Sequence, residues 1–166
     1  MTDSVGDAPA DAYPYERAWN YTLWLLGRQA YTTGQLKDKL ARKGATDETV
    51  TRVLDKLIEL KLVDDALYAE AFVRTRGRIK GANRIRQELF QKGVPEPLVD
   101  RAVGGLDEAT QLQSALALAQ KNRWRWKGEP REQYAKAYAF LARRGFPGDV
   151  VRGALERTFA ADEEDN

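Results

Sequence analysis

Three glycines, Gly44, Gly93 and Gly145, stand in three copies of one pattern, and that pattern limits what this chain can fold into more than any other feature. The stretches "LARKGATDETVTRVL", "LFQKGVPEPLVDRAV" and "LARRGFPGDVVRGAL" align on them without a gap, the glycines lying 49 and 52 residues apart. Four positions earlier stands Leu40, Leu89 or Leu141, and directly before the glycine Lys43, Lys92 or Arg144. Six positions later comes Val50, Val99 or Val151, and ten later Leu54, Val103 or Leu155. A repeat of this length is one supersecondary unit said three times.

The columns have a local physical meaning. A glycine just past a helix takes the left-handed conformation that closes the last turn, and a cation before it complements the negative helix end. Thr46, Pro95 or Pro147 then starts the next helix, with an acid in its first turn. An earlier helix precedes each pair, at about 15–27, 66–80 and 107–121. Ala18, Trp19, Leu23, Leu26 and Val50, Val53, Leu54, Leu57, Ile58 recur at helical spacing, and Trp19, Tyr21 and Trp24 are expected to lie mostly in the core. None of these helices is long enough to be stable alone. The expectation is an all-α protein: three tandem three-helix repeats, helix-turn-helix-like modules, in an elongated, curved array. Its expected parts are an acidic disordered tail at 1–14, repeats at 15–64, 65–106 and 107–159, and an acidic tail at 160–166.

The charges are unevenly placed. Asp3, Asp7, Asp11 and Glu16 open the chain and Asp162, Glu163, Glu164 and Asp165 close it. Set those eight aside and 27 basic residues face 17 acidic ones, a body that calls for an anionic partner, with tails that either compete for the same surface or only solubilise. No apolar run is long enough for a membrane span and the start is unlike a secretion signal, so the cytoplasm is expected. With no cysteine and no histidine, thiolate chemistry and the commonest general base and zinc ligand are missing, and no cofactor or metal is expected. "GRIKG" is not followed by Ser or Thr as a nucleotide-phosphate loop would be. Asp64 and Asp65 sit where a helix cap and a first-turn acid belong; holding a nearby arginine is the other structural use, and metal or acid–base work the remote one.

One segment, "RTRGRIKGANRIR" over 74–86, carries six cations and no acid. Arg74, Arg76, Arg78 and Lys80 end one helix, Gly81 marks a corner, and Arg84 and Arg86 begin the next, with Ile79 and Ile85 expected in the core. Cations at a helix corner suit phosphates or a carboxylate-rich partner; an unselected surface, or pairing with Asp64 and Asp65, is the plainer alternative. A second segment, "KNRWRW", interleaves Arg123 and Arg125 with Trp124 and Trp126. Exposed, it is a stacking platform for single strands; otherwise one or both tryptophans roof the third module's core.

The ordered pieces "LVDDALYAEAFVRTRGRIKGANRIRQELFQKGV" and "LARRGF" resemble the bacterial regulatory RecX family, over about residues 15 to 159. The resemblance implies three tandem three-helix repeats and a non-enzymatic modulator of the RecA recombinase. Such proteins lodge in the groove of the RecA–DNA filament, limit its assembly or promote its disassembly, and inhibit strand exchange and ATP hydrolysis in recombination and repair. They also bind DNA, here expected single- or double-stranded without strong sequence preference, and a monomer is expected. Basic residues of all modules would bridge phosphates and acidic filament surface: the 74–86 cluster, Lys43, Lys92, Arg143 and Arg144 at the turns, and the Arg123–Trp126 segment. "NRWRWKGEPRE" and "DEEDN" lie outside the shared pattern. The alternative is an independent helix-turn-helix transcription regulator reading duplex.

Overall fold

Gly44, Gly93 and Gly145 close three helices in the same way. A computed structural model, in which residues 12–165 are described, gives them φ of 92°, 77° and 91°. In each, the glycine N–H donates to the carbonyl three residues back and the next N–H reaches the leucine five back: Ala45 to Leu40 at 3.1 Å, Val94 to Leu89 at 3.1 Å, Phe146 to Leu141 at 3.3 Å. This is the Schellman closure, and it satisfies carbonyls the helix end leaves open. Leu40, Leu89 and Leu141 are fully buried beneath it.

All regular structure among the described residues is helical: α1 (Tyr15–Leu26), α2 (Thr33–Arg42), α3 (Asp47–Glu59), α4 (Asp65–Arg76), α5 (Ala82–Gln91), α6 (Glu96–Gly104), α7 (Glu108–Asn122), a 3-10 turn (Arg123–Arg125), α8 (Pro130–Arg143) and α9 (Gly148–Glu164). The chain forms two compact units that divide inside α4, between Tyr68 and Ala69. In the first, α1 and α2 pack on α3 around Ala18, Leu36, Leu40, Val53 and Leu57. Asp64 caps α4, accepting from the Leu67 N–H at 3.0 Å. Asp65 accepts from the Thr33 N–H at 2.9 Å and from its hydroxyl, so the second acid ties α4 to the start of α2 and holds no arginine.

The buried line of α1 is Ala18, Thr22 and Leu25. Of the apolar face expected of Ala18, Trp19, Leu23 and Leu26, Ala18 is in the core, Trp19 and Leu26 pack against it half-buried, and Leu23 is exposed. Small Ala18 and Thr22 face the core, and the Thr22 hydroxyl donates to the Trp19 carbonyl at 2.8 Å, so burying it leaves no polar group unpaired. Of the aromatics expected mostly in the core, Trp19 and Tyr21 are half-buried and pack against it, while Trp24 is turned outward, 56% exposed.

In the second unit α5 packs on α6, while α7, α8 and α9 enclose Ala115, Ala119, Trp126, Leu141, Val151 and Leu155. The corner at Gly81 meets the turn at Gly145. The Gly81 N–H donates to the Arg144 carbonyl at 2.8 Å and the Asn83 N–H to the Gly145 carbonyl at 3.1 Å. Buried Gln111 of α7 accepts the Ala82 N–H at 2.9 Å, supplying a cap to α5 that Gly81 cannot. Ile85 is core as expected, but Ile79 is 38% exposed, because α4 ends at Arg76 and Ile79 sits in the connecting turn. The acidic end is not a tail throughout: α9 carries Asp162, Glu163 and Glu164 in helix. Residues 1–11 and 166, with most of the expected N-terminal tail, lie outside the described residues.

Candidate nucleic-acid interface

Among the described residues, the cations of 74–86 divide into three that have acidic partners and three that do not. Lys80 donates to Glu88 at 2.5 Å and Arg84 to the same carboxylate oxygen at 3.2 Å. Arg86 pairs with Asp100. The acid eight residues after Lys80 in sequence is thus folded back onto it across the corner. Arg74, Arg76 and Arg78 are exposed and make no ion pair among the described residues. Arg76 lies over the Phe72 ring at 5.8 Å, on which Lys92 also rests at 5.7 Å. Arg74 and Arg78 line a groove of about 380 Å³ with Glu70, Val73, Ala102 and Leu106. Asp64 and Asp65 take no part, since both are committed to helix starts.

Burial pushes the Glu88 carboxyl upward, but the hydrogen bond and charge of Lys80, then those of Arg84, outweigh it, and Glu88 lies below its ordinary value of 4.5. A depressed carboxyl stabilises the fold fully above its unfolded value and loses that contribution as pH falls through the folded one. We expect thermal unfolding midpoints of wild type to drop more steeply than those of Glu88→Gln as pH is lowered from about 5 to 3. Parallel curves would show that the pairs contribute nothing to stability.

The "KNRWRW" segment splits by its 3-10 geometry. Trp126 is 5% exposed, edge-on to Phe140 at 5.8 Å, and belongs to the core; no base can stack on it. Trp124 is 70% exposed. Arg123 is half-buried and its guanidinium is already engaged. Its Nε donates to Asp162 at 2.7 Å, its Nη2 to Gln133 at 2.8 Å and its Nη1 to the Trp126 carbonyl at 3.2 Å, and it lies over Phe159 at 4.6 Å. One of the C-terminal acids therefore neutralises a cation of the body. Arg125 stays exposed, 5.7 Å from the Phe140 ring centroid, and Arg144 lies over the same ring at 5.1 Å. Arg143 is exposed, and Lys43 covers Tyr21 at 5.0 Å.

Three family models meet the chain in tandem: the first RecX three-helix domain over residues 18–57, the second over 64–103 and the third over 109–155. The chain belongs to the RecX family. It is 39% identical over 156 residues to regulatory protein RecX of Thermobifida fusca, covering 90% of this chain and 83% of that one. With regulatory protein RecX of Prosthecochloris aestuarii it shares 34% over 142 residues, 84% of this chain and 92% of the other. The crystal structure of RecX from Lactobacillus salivarius superposes with a TM-score of 0.80 at 26% identity, covering 88% of this chain and 97% of that one. RecX proteins are non-enzymatic regulators, and three helical domains in tandem are the family's architecture as well as this chain's. No helix among the described residues is long and apolar enough to cross a membrane.

Proposed function

We propose that this chain acts in the cytoplasm as a monomeric regulator that binds the RecA–DNA filament and inhibits it, limiting assembly or promoting disassembly. One observation carries the assignment of the contact surface: Arg74, Arg76 and Arg78, at the end of α4 and in the turn after it, are exposed and have no acidic partner among the described residues. A guanidinium binds phosphate through parallel N–H donors and stays charged at any physiological pH. Arg125, Arg143 and Trp124 form a second exposed set on the third module. Membership of the RecX family supports the filament as the partner.

Titrating the protein into RecA hydrolysing ATP on single-stranded DNA tests this. The rate is expected to fall at near-stoichiometric protein, and a rate unchanged across a broad titration would remove the proposal. The triple variant Arg74→Gln, Arg76→Gln, Arg78→Gln should inhibit more weakly. On naked duplex it should flatten the salt dependence by up to about 0.9 log unit per lost phosphate contact. Strong preference for one duplex sequence would favour a transcription regulator instead.

A further inference from the structure

Helix α1 of the first unit carries a set of aromatic and basic side chains of its own. Arg17, Tyr21, Trp24 and Arg28 recur at three- and four-residue intervals on one side of α1 and the turn that follows, Tyr21 half-buried and Trp24 exposed. Tyr13, in the segment before the helix, is held there by Tyr21 and Arg17. The Tyr21 and Trp24 rings are nearly parallel, 17° apart with centroids at 6.2 Å, and Tyr13 meets Tyr21 edge-on at 88° and 6.2 Å. Each ring has its own cation. Arg17 is 4.9 Å from the Tyr13 centroid, Lys43 5.0 Å from that of Tyr21, and Arg28 4.9 Å from that of Trp24. Arg17, Arg28 and Lys43 are exposed and make no ion pair among the described residues.

The chemistry selects one kind of ligand. An apolar protein surface would gain little from three unneutralised cations, which it would have to desolvate. A duplex would meet the cations but keeps its bases stacked and has none to offer Tyr21 or Trp24. An unpaired strand supplies both halves: bases with π-faces for the rings and phosphates for the cations. Until a strand arrives, the guanidinium and ammonium groups rest on the ring faces through cation–π attraction, worth little at an exposed site and easily exchanged. We propose that this stripe is a binding site for single-stranded nucleic acid, in which unpaired bases stack on Tyr21 and Trp24 while Arg17, Arg28 and Lys43 take the phosphates. The site stands apart from the filament reading, and it is tested without RecA.

The measurement is fluorescence anisotropy of a labelled oligothymidine of about 15 nucleotides, and of a duplex of the same length, titrated with the full chain at low salt. Trp24→Ala is expected to weaken oligothymidine binding by about tenfold, the order of one lost base stack, with duplex affinity within about twofold of wild type. Trp24→Phe should recover most of the loss and Trp24→Leu little of it, because a leucine restores apolar area but no ring face. Trp24 is outside the core, so circular dichroism and unfolding midpoints should match wild type throughout. The proposal is overturned if Trp24→Ala binds oligothymidine as wild type does, if Trp24→Leu recovers as much as Trp24→Phe, or if duplex binding falls equally. Wild type that fails to bind oligothymidine at low salt would overturn it as well. Any of these results leaves RecA inhibition, and the reading built on it, untouched.

Discussion

Replacing Gly145 with alanine is expected to destabilise the second unit by about 3–5 kcal/mol, a large share of the roughly 5–15 kcal/mol that holds a domain folded. Two penalties coincide there. At φ 91° an L side chain strains the backbone, a cost of about 1–2 kcal/mol. The added Cβ would also overlap the backbone N and Cα of Arg84 and the Cβ fixed to them, which sit in the first turn of α5 and cannot swing away. Relief requires parting the corner from the turn, and that breaks the Gly81-to-Arg144 and Asn83-to-Gly145 hydrogen bonds, about 1 kcal/mol each. Gly81→Ala attacks the same joint from the other side, since its Cβ would overlap the backbone of Gly145 and Phe146. The double variant should therefore lose less than the sum of the two. Gly44→Ala is the control. It shares the positive φ, 92°, but among the described residues its Cβ meets only Ala12, at an ordinary 3.6 Å, so about 1–2 kcal/mol is expected. Urea unfolding of the three variants measures this; equal losses at Gly44 and Gly145 would mean the joint has give that the geometry denies.

Trp126→Ala should lose about 3–5 kcal/mol, the usual result of emptying a large aromatic site in a packed core. The ring lies in the core cluster with Ala119, Ala137 and Leu141 and meets Phe140 edge-on, a contact that adds to its buried area. The vacated space is walled by helices α7, α8 and α9, which already pack on one another and can collapse into it only in part. Trp124→Ala, two residues away and 70% exposed, should change stability by less than about 0.5 kcal/mol. Denaturant midpoints of the pair provide the comparison, and similar losses would contradict the division of the segment into one core and one surface tryptophan.

The features legible from sequence are those made within a few residues. The Schellman turns at 44, 93 and 145 need a glycine, a preceding polar residue and a buried leucine four back, all contiguous in the chain, so the alignment exposes them. Asp64 as a cap is legible for the same reason, its partner Leu67 being three residues on. The candidate interface was half legible. The cluster at 74–86 is plain as a run of charge, but which cations remain free depends on Glu88 folding back on Lys80 and on Asp100 of α6 reaching Arg86. Arg123 reads as a surface cation until Asp162, 39 residues later, is seen beside it.

Helical period by itself did not set the rotation of α1: Ala18 belongs to the core as expected, but Thr22 and Leu25 complete its buried line where Leu23 was expected. Packing chose the face on which α1 meets α3, and it leaves Trp24 exposed beside a half-buried Tyr21. The sequence by itself determined the helices, their glycine closures and the threefold unit, because each is settled by hydrogen bonds between neighbours. Which glycine is irreplaceable, which tryptophan is core and which arginines stay free for a partner were decided only in the tertiary structure. Those depend on what residues distant in the chain bring to the same place, and Gly145 differs from Gly44 only because Arg84 stands against it.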